Sequence, residues 1–294
     1  MSQQGLEAAR RKMLDAQVAP SAIGVFSHYY RLLESGETGL IREESIEPLL
    51  DPPMLDDVEV SDSEARDAIG ATVIIKLNGG LGTSMGLDKA KNLLEVRDGL
   101  NFLDLIVRQV RAARCDWDAP LPLLFMNSFR TEADTLAHLE RYPDLPVDDL
   151  PLSFLQNQEP KLRADDLTPV EWPKDPSLEW CPPGHGDLYT ALWGQSLLQR
   201  LIEKGFRYAC ISNGDNLGAA PNARLAGWFA SSGAPYAAEL CRRTVNDRKG
   251  GHLAIRKHDG QLILRDTAQT APEEMGYFTD EHRHPFFHTN NLWF

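Results

Sequence analysis

The stretch from Thr72 to Gly80, TVIIKLNGG, decides the fold. Its first half is β-branched and almost continuously apolar, a pattern typical of a strand buried on both faces of a parallel sheet. Glycines follow at once, at Gly79, Gly80 and Gly82. Because a glycine has no Cβ, its backbone N–H can approach phosphate oxygens closely. The stretch therefore predicts a central strand followed by a candidate phosphate-binding loop, although a glycine-rich turn without a ligand is the alternative.

Helix and strand patterns alternate on the C-terminal side of this stretch. Apolar residues recur at helical spacing over 101–114, 131–141 and 187–204, the last helix with Asp187 as its expected N-cap. Strand patterns cover 121–127, 152–156 and 208–212, and the segments His252–Arg256 and Leu262–Arg265 flank a hairpin signal. The alternation predicts an α/β fold with a mainly parallel sheet. The Pro-rich stretch 160–183 is expected to be a long loop that serves a site.

The N-terminal quarter of the chain has a helical pattern and does not alternate between helix and strand. Residues 1–50 have a helical pattern, with Ile23, Phe26, Tyr30 and Leu33 on one face. The acidic stretch 44–62 contains three prolines and is expected to connect this part to the rest. We therefore expect an N-terminal helical segment over 1–65 and a catalytic core over 66–294.

Composition bounds the class of protein. At roughly 150 residues per domain, the 294 residues predict one large domain or two smaller ones. A content of 42% hydrophobic and 25% charged residues excludes disordered and collagen-like chains. The chain has 30 basic and 43 acidic residues, a net charge of −13. This acidic excess argues against nucleic acid as a main partner, while a local lysine cluster can still bind small anions.

The cysteines and the N-terminus predict the compartment. Cys115, Cys181, Cys210 and Cys241 have no CxxC or zinc-like spacing, which favours four unpaired thiols. The first residues, MSQQGLEAARRKML, lack the apolar core of a secretory signal, and no apolar run is long enough for a membrane span. We expect a cytoplasmic protein without a membrane partner. Its oligomeric state does not follow from the sequence.

The glycine segment excludes two well-known loops. A Walker A loop needs Gly-Lys-Ser/Thr, which this segment lacks. The dinucleotide pattern GxGxxG would place its third glycine at Met85, which weakens a dehydrogenase interpretation. Lys89 and Lys91 follow the glycines and can supply point charges for a triphosphate, although such lysines are often only solvated.

Two further segments carry candidate chemistry. In CPPGHGD, which ends at Asp187, glycines bracket His185 at the start of a helix and expose backbone donors. In SNGDN, Asp215 follows a predicted strand, where ligands of open α/β sheets bind and where a carboxylate can hold Mg²⁺. A structural histidine and an Asx-turn are the respective alternatives.

Taken in order, these segments resemble the UTP–glucose-1-phosphate uridylyltransferase family of the eukaryotic type. The resemblance spans roughly residues 20–294. It rests on seven motifs: KLNGGLGTSMG at 76–86, DKAK at 88–91, FLDL at 102–105, PPGHGD at 182–187, NGDNLGA at 213–219, GGHL at 250–253 and HTNNLW at 288–293.

The resemblance implies a fold, a reaction and a set of site residues. The implied fold is a Rossmann-like, GT-A-like nucleotidyltransferase core with a mixed, mainly parallel sheet. The implied reaction converts UTP and glucose 1-phosphate into UDP-glucose and pyrophosphate with Mg²⁺. By the family's pattern, Lys91 is the catalytic phosphate-binding lysine and Asp215 the metal ligand. The nucleotide-binding residues would be Leu77, Asn78, Gly79, Gly80, Gly82, Gln156 and Gly184. The residues that bind glucose 1-phosphate would be His185, Asn213, Gly251, Asp266, Asn290 and Asn291.

The chain departs from the family's pattern in two respects. Asp266 stands where the family has a glutamate, and family members are longer than this chain. The resemblance implies that the remaining part carries a second phosphate-contacting lysine, the rest of the sugar site and a β-helix domain. We therefore expect UTP binding but turnover at least about 10²-fold below that of a longer form, and an apolar seam on the surface. The alternatives are a pyrophosphorylase for another hexose 1-phosphate and a UTP-binding protein without turnover.

Overall fold

The computed structural model describes residues 2–81, 89–248 and 250–294. The helices described are α1 (Ser2–Asp15), α2 (Pro20–Glu34), α3 (Asp62–Gly70), α4 (Phe102–Trp117), α5 (Glu132–Leu139), α6 (Asp187–Gly194), α7 (Leu197–Glu203), α8 (Ala223–Ser232) and α9 (Met275–Phe278). The strands described are β1 (Ile46–Pro48), β2 (Thr72–Asn78), β3 (Glu95–Arg97), β4 (Leu100–Asn101), β5 (Leu123–Asn127), β6 (Ser153–Leu155), β7 (Glu159–Pro160), β8 (Trp180–Cys181), β9 (Tyr208–Asn213), β10 (Ala237–Arg242), β11 (His252–Arg256), β12 (Leu262–Arg265) and β13 (Phe286–Trp293). Within these ranges, no helix has the length and apolar character needed to cross a membrane.

A six-stranded sheet in the order β10-β13-β9-β2-β5-β6 forms the core. β2 is parallel to β5 and β9, and β6 is parallel to β5, whereas β13 and β10 join antiparallel. Every residue of β2 is buried. Ile74 packs with α3, α4 and α8 on one face, while Val73 and Ile75 pack with α6 and α7 on the other. The predicted α/β fold with a mixed, mainly parallel sheet is confirmed.

The strand register aligns the segments that carry candidate chemistry. Asn78 pairs with Asn127 of β5, and Leu77 pairs with Asn213 of β9. Because the three strands are parallel, their carboxyl ends meet at one edge of the sheet. The turn Lys91–Leu93 lies beside this edge, since the Lys91 backbone N–H donates to the carbonyl of Gly80 at 3.1 Å.

The prediction of helix over 1–50 is right only as far as Glu34. Gln17 has a φ of 58°, and Pro20 starts a second helix. The chain leaves the helix through Gly36 and Gly39, which also have positive φ, and residues 46–48 form β1. Ile23, Phe26 and Tyr30 are buried as expected, but Leu33 on the same predicted face is exposed.

The predicted helix over 187–204 is two helices. Ser196, with a φ of 55°, separates α6 from α7. The expectation that Asp187 caps the helix is wrong, because Gly186 occupies that position. Asp187 instead accepts hydrogen bonds from the backbone and side-chain nitrogens of Asn157, at 2.5 and 2.8 Å. Its carboxylate thereby attaches the start of α6 to the segment that follows β6.

A second sheet, in the order β1-β11-β12, is joined to the rest by a buried carboxylate. Glu43, just before β1, forms ion pairs with Arg265 and Arg283, and His284 Nε2 lies 3.1 Å from its Oε1. Arg265 is fully buried and pairs also with Glu274 at 2.6 Å. Burial raises the pKa of Glu43, but the hydrogen bonds from Arg283 and Arg265 and the charge of His284 outweigh it and hold the pKa below its usual value. These buried ion pairs thus hold the N-terminal segment against the β11–β12 hairpin.

Replacing Glu43 tests this fastening. Glu43→Gln leaves the guanidinium of Arg265 buried with one carboxylate fewer, so the free energy of unfolding should fall by about 3 kcal/mol in urea titrations at pH 7. Glu44→Gln, which changes an exposed neighbour, should change the free energy of unfolding by less than about 0.5 kcal/mol.

The same ion pairs predict a pH dependence. Because folding lowers the pKa of Glu43, the stability that its carboxylate contributes is present above the unfolded pKa and is lost as pH falls through the folded pKa. The difference between Glu43→Gln and the unmodified chain should therefore shrink below about pH 4. Equal stability of the two variants at pH 7 would contradict the account.

Candidate active site

A pocket of about 340 Å³ opens at the carboxyl ends of β2 and β9. Its lining gathers most of the residues singled out from the sequence: Leu77, Asn78, Gly79, Gly80, Lys91, Gln156, Gly184, His185, Asn213 and Asp215. Asn92, Met126 and Pro182 complete it. A larger groove of about 870 Å³ lies between α6, α7 and the sheet, but its apolar lining, with Trp193, Ile202 and Phe294, does not suit a polyphosphate.

Opposite charges face each other in the small pocket. Lys91 Nζ lies 2.5 Å from Asp215 Oδ2. The two side chains keep 41% and 32% of their exposure, so both charges remain accessible to a ligand. An ammonium suits a phosphate oxygen, and a carboxylate suits a hard cation. The pair therefore matches the two charges of a metal–polyphosphate complex.

The amide of Gln156 packs directly against the glycine segment. A Cβ at Gly79 would lie 2.6 Å from Gln156 Nε2, closer than real contacts allow. The Gln156 backbone N–H donates to the carbonyl of Asn127 at 2.8 Å, which fixes this residue beside β5. Gly184, also in the pocket lining, has a φ of 101° and so occupies a conformation that side chains disfavour. Glycine at position 79 thus lets the Gln156 amide pack on the backbone, and glycine at position 184 permits the positive φ.

His185 is held by an asparagine pair. Asn290 Nδ2 donates to His185 Nδ1 and to Asn213 Oδ1, both at 2.8 Å. Burial lowers the pKa of His185, although the nearby Asp215 and the bond from Asn290 oppose this effect. Because an amide nitrogen only donates, Nδ1 accepts in this contact, and the ring nitrogen left to donate is Nε2. His185 thus offers an N–H donor beside the Lys91–Asp215 pair.

Four of the predicted residues that the structure describes lie outside the pocket lining. Asn290 is one of them and reaches the pocket only through its bonds to His185 and Asn213. Asn291 is buried, accepts from Asn216 Nδ2 at 3.0 Å and donates to Glu239 at 3.2 Å. Gly251 and Asp266 lie together at the β11–β12 pair, since a Cβ on Gly251 would be 3.5 Å from Asp266 Oδ2. The carbonyl of Gly251 accepts from the His288 backbone N–H at 2.7 Å, which links this pair to β13.

Gly82, the remaining predicted nucleotide contact, lies outside the described residues, as do Met85 and the rest of 82–88.

A buried row of amides under the pocket was missed from the sequence. Asn92 Nδ2 donates to Asn78 Oδ1 at 2.5 Å, Asn78 Nδ2 donates to Asn127 Oδ1 at 2.6 Å, and Asn127 Nδ2 donates to Ser153 Oγ at 2.8 Å. Gly214 lies against this row, because a Cβ there would be 1.9 Å from Asn92 Nδ2. The available signal was an asparagine at the carboxyl end of both β2 and β5. The row fixes the floor of the pocket and the residue next to Lys91.

The protein oxygen atoms in the pocket suit a cation that is bound mainly by phosphates and water. Over residues 2–81, 89–248 and 250–294, no group of three or more His, Cys, Asp or Glu side chains could hold a metal ion. Mg²⁺ commonly uses one or two protein carboxylates together with substrate phosphates and water. Asp215, the carboxylate in the pocket lining, meets that requirement, whereas a zinc-type cage does not form here.

A comparison with protein families matches residues 24–294 to the model described as UTP–glucose-1-phosphate uridylyltransferase. Among curated proteins, the chain is 41% identical over 221 residues to the UTP–glucose-1-phosphate uridylyltransferase of Saccharomyces cerevisiae, covering 75% of this chain and 44% of that protein. It is 38% identical over 231 residues to the probable enzyme of Schizosaccharomyces pombe, covering 78% of this chain and 45% of that protein. The chain thus spans less than half the length of these relatives.

The fold is similar to solved pyrophosphorylase structures. A UDP-glucose pyrophosphorylase variant from Leishmania major, solved in complex with UDP-glucose, superposes with a TM-score of 0.90 and 42% identity. The superposition covers 98% of this chain and 62% of that one. It confirms the nucleotidyltransferase core predicted from the motifs.

The two glycines at the end of β2 offer a matched test of the pocket geometry. Gly79→Ala should displace the Gln156 side chain, because the new Cβ overlaps its amide, and should leave the fold intact since a flexible side chain can move. Gly80→Ala meets no atom of the described residues within 4 Å. NMR spectra should therefore show the Gln156 side-chain amide resonances shifted in Gly79→Ala and unchanged in Gly80→Ala. Unshifted resonances in both variants would mean that Gln156 does not pack on Gly79.

Proposed function

The chain belongs to the UTP–glucose-1-phosphate uridylyltransferase family, and from that premise we propose that it binds UTP and glucose 1-phosphate and joins them into UDP-glucose, releasing pyrophosphate. The observation that carries the proposal is the exposed Lys91–Asp215 pair at the carboxyl ends of β2 and β9. It provides one charge for a phosphate and one for a metal ion within a single pocket.

The reaction needs positioning and charge neutralisation more than acid–base chemistry. An oxygen of the glucose 1-phosphate monoester forms a bond to the α-phosphorus of UTP, while the bond from that phosphorus to the bridging oxygen of the leaving pyrophosphate breaks. The nucleophile is already anionic, so no protein base is needed. Lys91 binds a phosphate oxygen and stabilises charge that develops toward the leaving group. Asp215 would hold Mg²⁺, which supplies Lewis-acid stabilisation of the same charge when bound.

Different residues of the pocket suit the base and the sugar phosphate. The Gln156 amide can donate to and accept from the edge of uracil, and it shares the pocket lining with Gly184 and with the segment 77–80. His185 and Asn213 present donors for the sugar phosphate, and Asn290, whose two Nδ2 hydrogens bond to His185 and Asn213, holds both side chains in place. We assign Asn291, Gly251 and Asp266 to the hexose side, where β13 connects the first of them to the β11–β12 pair. The Asp266 carboxylate also caps the turn Thr267–Gln269, which fixes its position.

The proposal also includes a division of the chain into two parts and a location in the cell. We place the N-terminal helical segment at 1–65 and the catalytic core at 66–294. The apolar cluster of α1 and α2 supports such a division, although Leu162, Leu167 and Trp180 of the core pack against it and the boundary falls inside α3. A cytoplasmic location is supported by four cysteines that are all free thiols.

Calorimetry and a pyrophosphate assay test the proposal. UTP with Mg²⁺ should bind to the chain, and ATP should bind far more weakly, because adenine is larger than uracil and presents its donors and acceptors at other positions than the uracil edge. Pyrophosphate release is then compared among glucose 1-phosphate, galactose 1-phosphate and N-acetylglucosamine 1-phosphate. Preference for glucose 1-phosphate supports the proposal, preference for another sugar phosphate indicates a different pyrophosphorylase, and UTP binding without turnover indicates a binding protein. Equal binding of UTP and ATP would contradict the assignment of Gln156.

Lys91→Ala should weaken the site without unfolding the protein. Turnover should fall by about 10² to 10³, since one preorganised charge is lost from the transition state. Calorimetry should also show weaker binding of Mg²⁺–UTP. Lys257→Ala, at an exposed lysine just after β11 and outside the pocket lining, is the control and should keep the affinity and rate of the unmodified chain. Retention of at least half the activity in Lys91→Ala would remove this residue from the mechanism.

Asp215→Asn should raise the Mg²⁺ concentration needed for UTP binding by about tenfold or more, because a hard cation loses its anionic oxygen ligand. Titration of Mg²⁺ at fixed UTP measures this directly. Asp98→Asn removes an exposed carboxylate outside the pocket lining and should leave the titration unchanged. Superimposable Mg²⁺ curves for Asp215→Asn and the unmodified chain would place the metal elsewhere.

A further inference from the structure

Lys76, in the middle of β2, is an unusual lysine. Its side chain is almost fully buried, with 1% exposure. Nζ donates to Ser212 Oγ at 2.6 Å and to the carbonyl of Ala219 at 2.8 Å. Burial lowers its pKa, although Cys210 and Glu239 oppose this effect. Lysines are rarely buried unless paired, so this position calls for an explanation.

The two acceptors of Lys76 lie at the two ends of one loop. Ser212 is paired directly with Lys76 in the sheet, and Ala219 closes the segment that begins at Asn213. Between them, Asn213 accepts from Asn290, Asp215 pairs with Lys91, and Asn216 donates to Asn291. The Lys76 ammonium thus bonds to both ends of the loop that carries Asp215, the candidate metal ligand.

Stability alone does not account for this lysine. Within the described part of the chain, Lys76 forms no ion pair with a carboxylate within 4.0 Å. Glu239, which influences its pKa, instead accepts from Trp293 Nε1 at 2.8 Å and from Asn291. Replacing a buried charge by an apolar side chain of similar volume is often neutral or stabilising. A buried charged residue without a partner of opposite charge is expected mainly where it supports a functional site.

We propose that Lys76 is a positioning residue that fastens the loop 213–219 to β2 and so presents Asp215 to the metal–triphosphate. It acts through the loop and touches no substrate itself. The statement about the ligand rests on the proposed function, whereas the statement about the loop stands independently of it.

Lys76→Met tests both statements, with Thr72→Val as the matched control. Thr72 is also fully buried in β2, but its Oγ1 donates to the carbonyl of Ala68 at 2.7 Å, at the strand's other end. Amide hydrogen exchange in the unliganded chain should be at least about tenfold faster over 213–219 in Lys76→Met and unchanged there in Thr72→Val. Affinity for Mg²⁺–UTP should fall by about tenfold in Lys76→Met, while affinity for uridine, which lacks phosphates, should not change.

Each outcome of this experiment bears on the proposal. Unchanged exchange over 213–219 in Lys76→Met overturns it, and so does an equal loss of uridine and Mg²⁺–UTP affinity, because a merely structural lysine would weaken both. If Lys76→Met does not fold, Ser212→Ala removes one of the two acceptors and should give a smaller increase in exchange over the same segment. Failure of the unmodified chain to bind UTP would overturn the proposed function while leaving the exchange result as the test of the loop.

Discussion

The parallel pairing of β2 with β5 and β9 is the constraint on which the other features depend. β2 is buried along its whole length between two apolar clusters, so its register cannot shift by one residue without turning each cluster's side chains to the wrong face. That register places Asn78 beside Asn127 and Leu77 beside Asn213. The glycine segment, the amide row and the Asp215 loop therefore leave the sheet at the same edge, and the pocket forms between them.

The charges that line the pocket balance each other although the chain as a whole is acidic. The protein carries −13 overall, whereas the pocket lining holds one accessible cation, Lys91, one carboxylate, Asp215, and the imidazole of His185. Such local arrangement can attract an anionic nucleotide despite a distant negative excess. Hydrogen bonds between polar side chains hold these groups in place: Asn290 fixes His185, the amide row fixes Asn92 next to Lys91, and Asp187 fixes the start of α6.

Local patterns predicted what is encoded locally. The apolar run of β2, the glycines after it and the strand before Asp215 sufficed for the parallel core, and the ordered motifs identified the family that the comparisons then showed. The features that the sequence did not predict depend on long-range contacts. β13 was missed because its polar HTNN run pairs with β9 and β10 only in the folded sheet, and the break at Ser196 interrupts an otherwise continuous helical pattern. Strands over 72–77 and 121–127 were predicted, but the partners that satisfy Lys76, Asn92 and Asn127 could not be, since those partners are distant in sequence.

The central proposal is that a divalent cation and UTP bind together at the Lys91–Asp215 pair, with the cation on Asp215 and a phosphate on Lys91. Paramagnetic broadening tests it most directly: Mn²⁺ replaces Mg²⁺ in a complex with UTP, and the backbone amide resonances of the chain are recorded by NMR. The account predicts that broadening is strongest at Asp215 and its loop, extends to Gly79, Gly80 and Lys91, and requires UTP. Broadening centred on the apolar groove near Trp193 and Ile202, or equal broadening with and without UTP, would contradict it.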